Sequence, residues 1–237
     1  MGIKTIEKLS DNGSGICIIR SHGESDDVFQ EVKSKGYELV DLTCFDVKKV
    51  QQRAVELAKK GYYLIILGKK EHPEVKAIYQ NACIFAKNKE NIIVAATLDE
   101  LRKNEETIKK MSFVGVILQT TQTKEYLLEV VDYLSGICKV LNITNTICPS
   151  TALRQDEAKA LAKESDLMVV VGSKKSANTS HLAHLLEKIT DTIHIEDEVE
   201  LEKYKNIIQK ANKIGVTAGA STPDMLINKV VDKLERI

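Results

Sequence analysis

The chain has 237 residues, long enough to bury a sizeable core as one large domain or as two or three small ones. Lys plus Arg and Asp plus Glu both number 34, so no net field draws in nucleic acid or a membrane surface. Aromatic residues make up only 5% and Trp is absent, which argues against base-stacking platforms.

No apolar run approaches the roughly 18 residues of a membrane span, and the N-terminus lacks the apolar core of a signal peptide. These features are read as a soluble, cytoplasmic chain with neither nucleic-acid nor membrane partners. In that compartment the five cysteines (Cys17, Cys44, Cys83, Cys138, Cys148) point to buried thiols, metal ligands or catalytic groups rather than disulfides.

In chain order, short apolar runs alternate with amphipathic segments. Strands are predicted at 16–20, 39–42, 63–67, 92–95, 114–118, 167–171 and 214–217. Helices are predicted at 46–60, 98–109, 124–134, 151–164, 179–189 and 223–237. Such alternation argues for an α/β fold of parallel sheets covered by helices on both faces. No linker breaks the chain.

Self-comparison reveals a repeat. Without gaps, residues 44–74 match 148–178: Cys44 falls on Cys148, Gln51 on Gln155, Ala54 on Ala158, Gly68 on Gly172, and Glu74 on Asn178. Each unit is a cysteine loop, a helix, a strand, and a polar loop at the strand's carboxyl end. A further strand follows in each, ending in Gln119-Thr120-Thr121-Gln122 or in Ala218-Gly219-Ala220-Ser221. The opening strand ends alike, in Ser21-His22-Gly23, as the tail of a third unit whose cysteine loop would lie before Met1.

Ligands of parallel sheets sit beyond the carboxyl ends of the strands. Those ends carry His22, His72 with Glu74, Thr120, Ser176 with Asn178, and Ser221. The stretch 172–180 (Gly-Ser-Lys-Lys-Ser-Ala-Asn-Thr-Ser) joins a strand to a helix through small polar residues, an arrangement that suits phosphate and equally an ordinary capped turn. His72 before Pro73 reads as a turn residue, while Glu74 two positions on leaves a proton-transfer pair open as an alternative. Two cysteines at equivalent places, with room for a third about a pseudo-threefold axis, fit an iron–sulfur cluster with one open iron or a three-cysteine metal site. Cys17 lies inside a strand, Cys138 at a strand start and Cys83 in an apolar patch, and all three read as core thiols. His181 and His184, three apart on a helix, have a spacing that can hold metal but no third ligand, and read as a solvated helix face; His194 reads as a strand edge, and Arg102 to Lys110 as a solvated face.

The motifs, in order, are Ser21-His22-Gly23, Thr43-Cys44, His72-Pro73-Glu74, Gln119-Thr120-Thr121, Ile147-Cys148, Gly172-Ser173-Lys174 with Ser176 and Asn178, and Gly215-Val216-Thr217-Ala218-Gly219-Ala220-Ser221. From about Ser21 to the C-terminus this string resembles the 4-hydroxy-3-methylbut-2-enyl diphosphate reductases, the last enzymes of the non-mevalonate isoprenoid pathway.

The resemblance implies three pseudo-threefold-related α/β lobes around a central site. By this division the first lobe is an incomplete remnant, 1–43, completed by the helix 223–237; the second is 44–146 and the third 147–222. It implies a [4Fe–4S] cluster held by three cysteines, two of them Cys44 and Cys148. It implies removal of the substrate's hydroxyl as water with two electrons and two protons, giving isopentenyl and dimethylallyl diphosphate. Glu74 is then the proton source, with Thr120 and His72 as its relay. The diphosphate cradle is His22, His72, Thr120, Ser176, Asn178 and Ser221. The implied partner is an electron donor such as ferredoxin or flavodoxin.

Three departures stand out. The segment expected to carry the first cysteine and a His-Asn pair has no counterpart. Ala177 stands where many members of that family have Ser, so only its backbone N–H could meet phosphate. Phe45 and Pro149 follow the cysteines in place of the commoner Pro and Tyr. A non-catalytic diphosphate-binding relative, and a phosphosugar-binding α/β protein with buried thiols, stay open as alternatives.

Overall fold

The computed structural model describes residues 4–6, 8–11 and 13–237, and the chain falls into two compact units. The first comprises the chain up to Thr120 together with Leu127–Thr146; the second comprises Thr121–Tyr126 and Ile147–Ile237.

The first unit opens with β1 (Ile16–Ile19), α1 (Asp26–Ser34) and β2 (Glu38–Asp41). The two strands pair in parallel, with Ile16 opposite Glu38. Next, α2 (Phe45–Lys59) buries Val47, Val50, Ala54, Leu57 and Ala58, a stripe at three- and four-residue spacing. It packs against β3 (Tyr63–Leu67), whose five residues are all buried, as a central parallel strand requires. The chain continues through α3 (Pro73–Phe85), β4 (Ile92–Ala95), α4 (Leu98–Arg102), α5 (Glu105–Ile108), β5 (Val114–Leu118), α6 (Lys124–Ser135) and β6 (Leu141–Ile143). The strands form one parallel sheet in the order β4-β3-β5-β6. Leu57, Leu64, Ile66, Ile78 and Ile117 sit in its core at 1% exposure or less, where truncation to Ala costs about 2–5 kcal/mol.

The second unit contains α7 (Pro149–Lys163), β7 (Leu167–Val171), α8 (Ala177–Leu186), β8 (Asp191–Ile195), a 3-10 segment (Glu198–Tyr204), α9 (Lys205–Ile208), β9 (Ile214–Ala218) and α10 (Asp224–Leu234). Its parallel sheet has the order β8-β7-β9. That order repeats β4-β3-β5, helix for helix up to the connection before the last strand, so the sequence repeat has a topological counterpart. Among the described residues, no helix is long and apolar enough to cross a membrane.

Several elements differ from expectation. The predicted helix 98–109 is two short helices, broken where Asn104 Nδ2 donates to the Glu100 carbonyl at 3.1 Å in competition with the backbone. The helix α3 is not apparent in the sequence because His72-Pro73 reads as a turn; the turn is there, and it is the helix cap. The strand β8, Asp-Thr-Ile-His-Ile, is hidden because its polar positions dilute the apolar run. Cys138 is not at a strand start: it lies in the turn after α6, its N–H on the Leu134 carbonyl at 2.9 Å. Cys17 is half-buried rather than core, because its sheet has only two strands. The helix assigned to the first lobe, α10, buries Val230 beside Leu201 and Ile208 in the core of the second unit, since its apolar stripe matches that sheet's face.

Candidate active site

In the first unit, β3 and β5 are neighbours, so the loops at their carboxyl ends meet. Gly68 permits the approach: a Cβ there would stand 2.7 Å from Val75 Cγ2 and 3.0 Å from Gln119. Gln119 Oε1 accepts from the Lys69 N–H at 3.4 Å, tying the two loops. The first turn of α3 follows. His72 is its N-cap, and its Nδ1 accepts from the Glu74 N–H at 3.2 Å, while Pro73 supplies a preset φ at the first helical position.

Glu74 is 1% exposed, and both its oxygens are engaged by one residue. The Thr120 N–H donates to Oε1 at 2.7 Å, and Thr120 Oγ1 donates to Oε2 at 2.9 Å. Burial pushes the Glu74 carboxyl up from its ordinary pKa, and the two Thr120 donors pull partly back.

The loop after β1 reaches the same place. The rings of His22 and His72 stand edge-to-face, 5.2 Å between centroids. Burial, with Arg20 nearby, holds His22 below the usual imidazole range, so it is neutral at pH 7. Its Nδ1 is buried with no partner among the described residues. The Cys44 N–H donates to the Ser21 carbonyl at 3.0 Å, which pins the cysteine loop to the histidine loop. Cys44 is exposed at the N-cap of α2.

In the second unit, the loop after β7 packs closely on the loop after β9. Gly172 has φ +139°, and a Cβ there would stand 2.5 Å from Thr222 Oγ1. Ser176 caps α8, its Oγ accepting from the Thr179 N–H at 3.4 Å. The donors of this turn divide into two sets. The Lys174, Lys175, Ser176, Thr179 and Ser180 N–H groups have acceptors within the protein. The Ala177 and Asn178 N–H groups, at the first turn of α8, have none among the described residues, and Asn178 Nδ2 is buried without a partner. Ser221 is exposed on the loop after β9. Cys148, free and half-buried, is the N-cap of α7 as Cys44 is of α2.

The structure thus brings together His22, His72, Glu74 and Thr120, with the Cys44 loop, in one unit. In the other, Ser176 and Asn178 share one turn, beside the loop that carries Ser221. The equivalence of Glu74 and Asn178 acquires a meaning: both stand in the first turn after a central strand, one presenting a buried acid and the other an unpartnered amide. His181 and His184 are not a metal pair, since His181 Nδ1 donates to the Thr121 carbonyl at 2.8 Å and His184 faces Glu187. His194 lies inside β8, its Nε2 donating to the Gly172 carbonyl at 2.9 Å. Sequence reasoning does not find Asn81, 4% exposed, whose Oδ1 accepts from the Asp26 N–H at 2.7 Å just beyond the histidine loop; no spacing marks it. Nor does it find Glu196 and Glu200, which fasten the loop after β7.

The chain is 39% identical to the 4-hydroxy-3-methylbut-2-enyl diphosphate reductase of Geotalea uraniireducens over 238 residues, covering 100% of this chain and 80% of that one. It is 38% identical to the same-named protein of Geobacter sulfurreducens, covering 99% and 79%. Among solved structures, an (E)-4-hydroxy-3-methyl-but-2-enyl diphosphate reductase matches with TM-score 0.59 and 34% identity, over 94% of this chain and 76% of that one. The E-1-hydroxy-2-methyl-but-2-enyl-4-diphosphate reductase of Plasmodium falciparum matches with TM-score 0.80 and 25% identity, over 94% and 67%. The family described as LytB protein matches residues 1–235, and with relatives of this identity over its whole length the chain belongs to the LytB family of reductases.

Proposed function

We propose that this chain is an iron–sulfur reductase that removes the hydroxyl of 4-hydroxy-3-methylbut-2-enyl diphosphate, giving isopentenyl and dimethylallyl diphosphate. The overall conversion consumes two electrons and two protons and releases water, the electrons arriving from a carrier such as ferredoxin or flavodoxin. The observation that carries the reading is the buried Glu74 carboxyl, held through both oxygens by Thr120 and followed back to His72 by its own N–H.

The cysteines suit the implied cluster in donor type and, each within its own unit, in local setting. Each is a free thiol at the N-cap of an equivalent helix, where unpaired N–H groups favour an anionic group. Among the described residues no three His, Cys, Asp or Glu side chains gather as a metal site. When bound, a [4Fe–4S] cluster held by Cys44 and Cys148 would supply the electrons and a Lewis-acidic iron.

The remaining work falls to other residues. Glu74, raised in pKa by burial, holds its proton to higher pH than an exposed glutamate does, and the Thr120 hydroxyl on its Oε2 passes that proton onward. Because His72 Nδ1 accepts from the Glu74 N–H, the neutral ring carries its hydrogen on Nε2 and can donate it to a phosphate oxygen. The groups this reading assigns to the diphosphate are the orphaned Nδ1 of His22 in one unit and, in the other, Asn178 Nδ2 with Ser176, Ser221 and the open N–H groups of Ala177 and Asn178. An anion beside His22 would favour its protonated form, so diphosphate binding strengthens as pH falls.

The test is kinetic. With a chemical reductant and reconstituted protein, Glu74→Gln lowers kcat about a hundredfold or more with KM unchanged, the scale for a positioned general acid. Ser176→Ala and Asn178→Ala raise KM instead. A Glu74→Gln effect confined to KM would move the proton role elsewhere. Wild-type protein that binds diphosphate without turnover would replace the reductase reading by that of a diphosphate-binding relative.

A further inference from the structure

The loop that precedes α8 contains two lysines, and a phosphate-binding reading naturally gives them to the anion. The geometry points elsewhere. Lys174 Nζ lies 2.9 and 2.7 Å from the two carboxylate oxygens of Glu200. The Lys174 N–H and Ser173 Oγ both donate to Glu196 Oε1, at 2.8 and 3.0 Å. Glu200 Oε2 in turn accepts from the Glu196 N–H at 3.1 Å, so the two carboxylates form one support. From β8, His194 Nε2 donates to the Gly172 carbonyl at 2.9 Å. From α8 itself, Ser180 Oγ donates to the Lys174 carbonyl at 3.0 Å.

We propose that Glu196 and Glu200 are positioning residues for the anion-binding turn of α8, and that Lys174 is their counter-ion rather than a phosphate ligand. The proposal rests on the reading that Ser176 and Asn178 meet diphosphate. Four attachments, from β8 and the residues after it, grip residues 172–174, upstream of every donor that the turn leaves open. The Ala177 N–H, the Asn178 N–H and Asn178 Nδ2 remain without acceptors among the described residues. Fixing the loop on one flank orders those donors before a ligand arrives, which lowers the ordering cost of binding.

A lone exposed ion pair would do little here. This one differs, because the carboxylates also accept backbone N–H groups, and charge-assisted bonds to backbone fix the chain rather than a side chain. Lys174 also keeps two carboxylates beside an anion site from repelling the ligand. With Lys174 engaged, Glu200 is held down at about 2, so the pair stays ionised throughout the pH range of any binding assay.

The experiment uses the full chain and two measurements. Inorganic diphosphate is titrated by calorimetry into wild type, Glu200→Gln, Glu196→Gln, Lys174→Met and the Lys174→Met, Glu200→Gln pair. Amide hydrogen exchange of residues 173–180 is followed in the same proteins without ligand. Each single variant is expected to weaken diphosphate about tenfold, the scale of removing one charge-assisted hydrogen bond, with the double variant no weaker than either single one. Exchange of the loop amides accelerates while that of the β7 amides does not change, which a general loss of stability would not produce.

Two results overturn the proposal. Tighter binding by Glu200→Gln, with weaker binding by Lys174→Met, would mean that a released Lys174 is a phosphate ligand. Unchanged loop exchange in both glutamate variants would mean that the carboxylates position nothing. Wild type without affinity for diphosphate, but with exchange altered as expected in the variants, would overturn the reading of the cradle and leave the positioning role supported.

Discussion

Thr120 offers a way to change one bond at the proposed proton source. Thr120→Val keeps the β-branched shape of a residue only 6% exposed, and removes the hydroxyl that donates to Glu74 Oε2 at 2.9 Å. The N–H of residue 120 still reaches Oε1 at 2.7 Å. A hydrogen bond to a charged group contributes about 1.5–3 kcal/mol, and one to a neutral acid about 0.5–1.5 kcal/mol. At 1% exposure, water does not replace the missing hydroxyl. The ionised form therefore loses about 1–1.5 kcal/mol more than the protonated form, which is roughly a tenfold smaller ionisation constant. Burial already pushes the Glu74 carboxyl up, so the variant moves it further in the same direction.

The measurement is the carbonyl stretch of the protonated acid, followed by infrared difference spectroscopy across pH, with Glu74→Gln identifying the band. Its midpoint is expected at higher pH in Thr120→Val, and the alkaline limb of kcat/KM moves with it. A midpoint that stays in place or moves to lower pH would show that the hydroxyl does not hold the carboxylate, and the relay role of Thr120 would go with it.

Further outcomes follow from the same structure. Glu74 titrates higher folded than unfolded, so the stability it contributes is complete below the unfolded value and is lost as pH rises through the folded one. Glu74→Gln lacks that loss, and its melting temperature relative to wild type should climb as pH is raised from about 4; a flat difference refutes the burial argument. Gly172→Ala forces a side chain into φ +139° and against Thr222 Oγ1, and should cost about 1–3 kcal/mol in denaturant unfolding together with diphosphate affinity. Arg53 donates from Nε to Thr144 Oγ1 at 2.9 Å and from Nη2 to Asn142 Oδ1 at 2.8 Å, bracing the edge strand β6. Arg53→Met should therefore cost about 1–2 kcal/mol, and a change below about 0.5 kcal/mol would mean that β6 holds by its ladder alone.

The buried strands are legible in the chain because parallel strands covered on both faces are written as unbroken apolar runs. The segments 63–67, 92–95, 114–118 and 167–171 appear in the structure with those limits. The repeat is legible too, since Cys44, Gln51, Gly68 and Glu74 recur as Cys148, Gln155, Gly172 and Asn178, and the two sheets answer with one strand order. Local chemistry places Ser176 as a helix cap because the N–H it accepts from lies only three residues away.

What sequence could not reach were contacts between residues far apart in the chain. Thr120 and Glu74 are 46 positions apart, and nothing in either motif says that both carboxylate oxygens go to one threonine. Pairing β3 with β5 decides that, by bringing two loops together on neighbouring strands. The placement of α10 is likewise a tertiary outcome, because an amphipathic stripe states that a face must be buried without naming the surface that buries it. Lys174 carries the same lesson at the scale of one side chain. Its motif marks a cation beside a phosphate loop, and only the fold, by bringing Glu196 and Glu200 from beyond β8, decides which anion it meets.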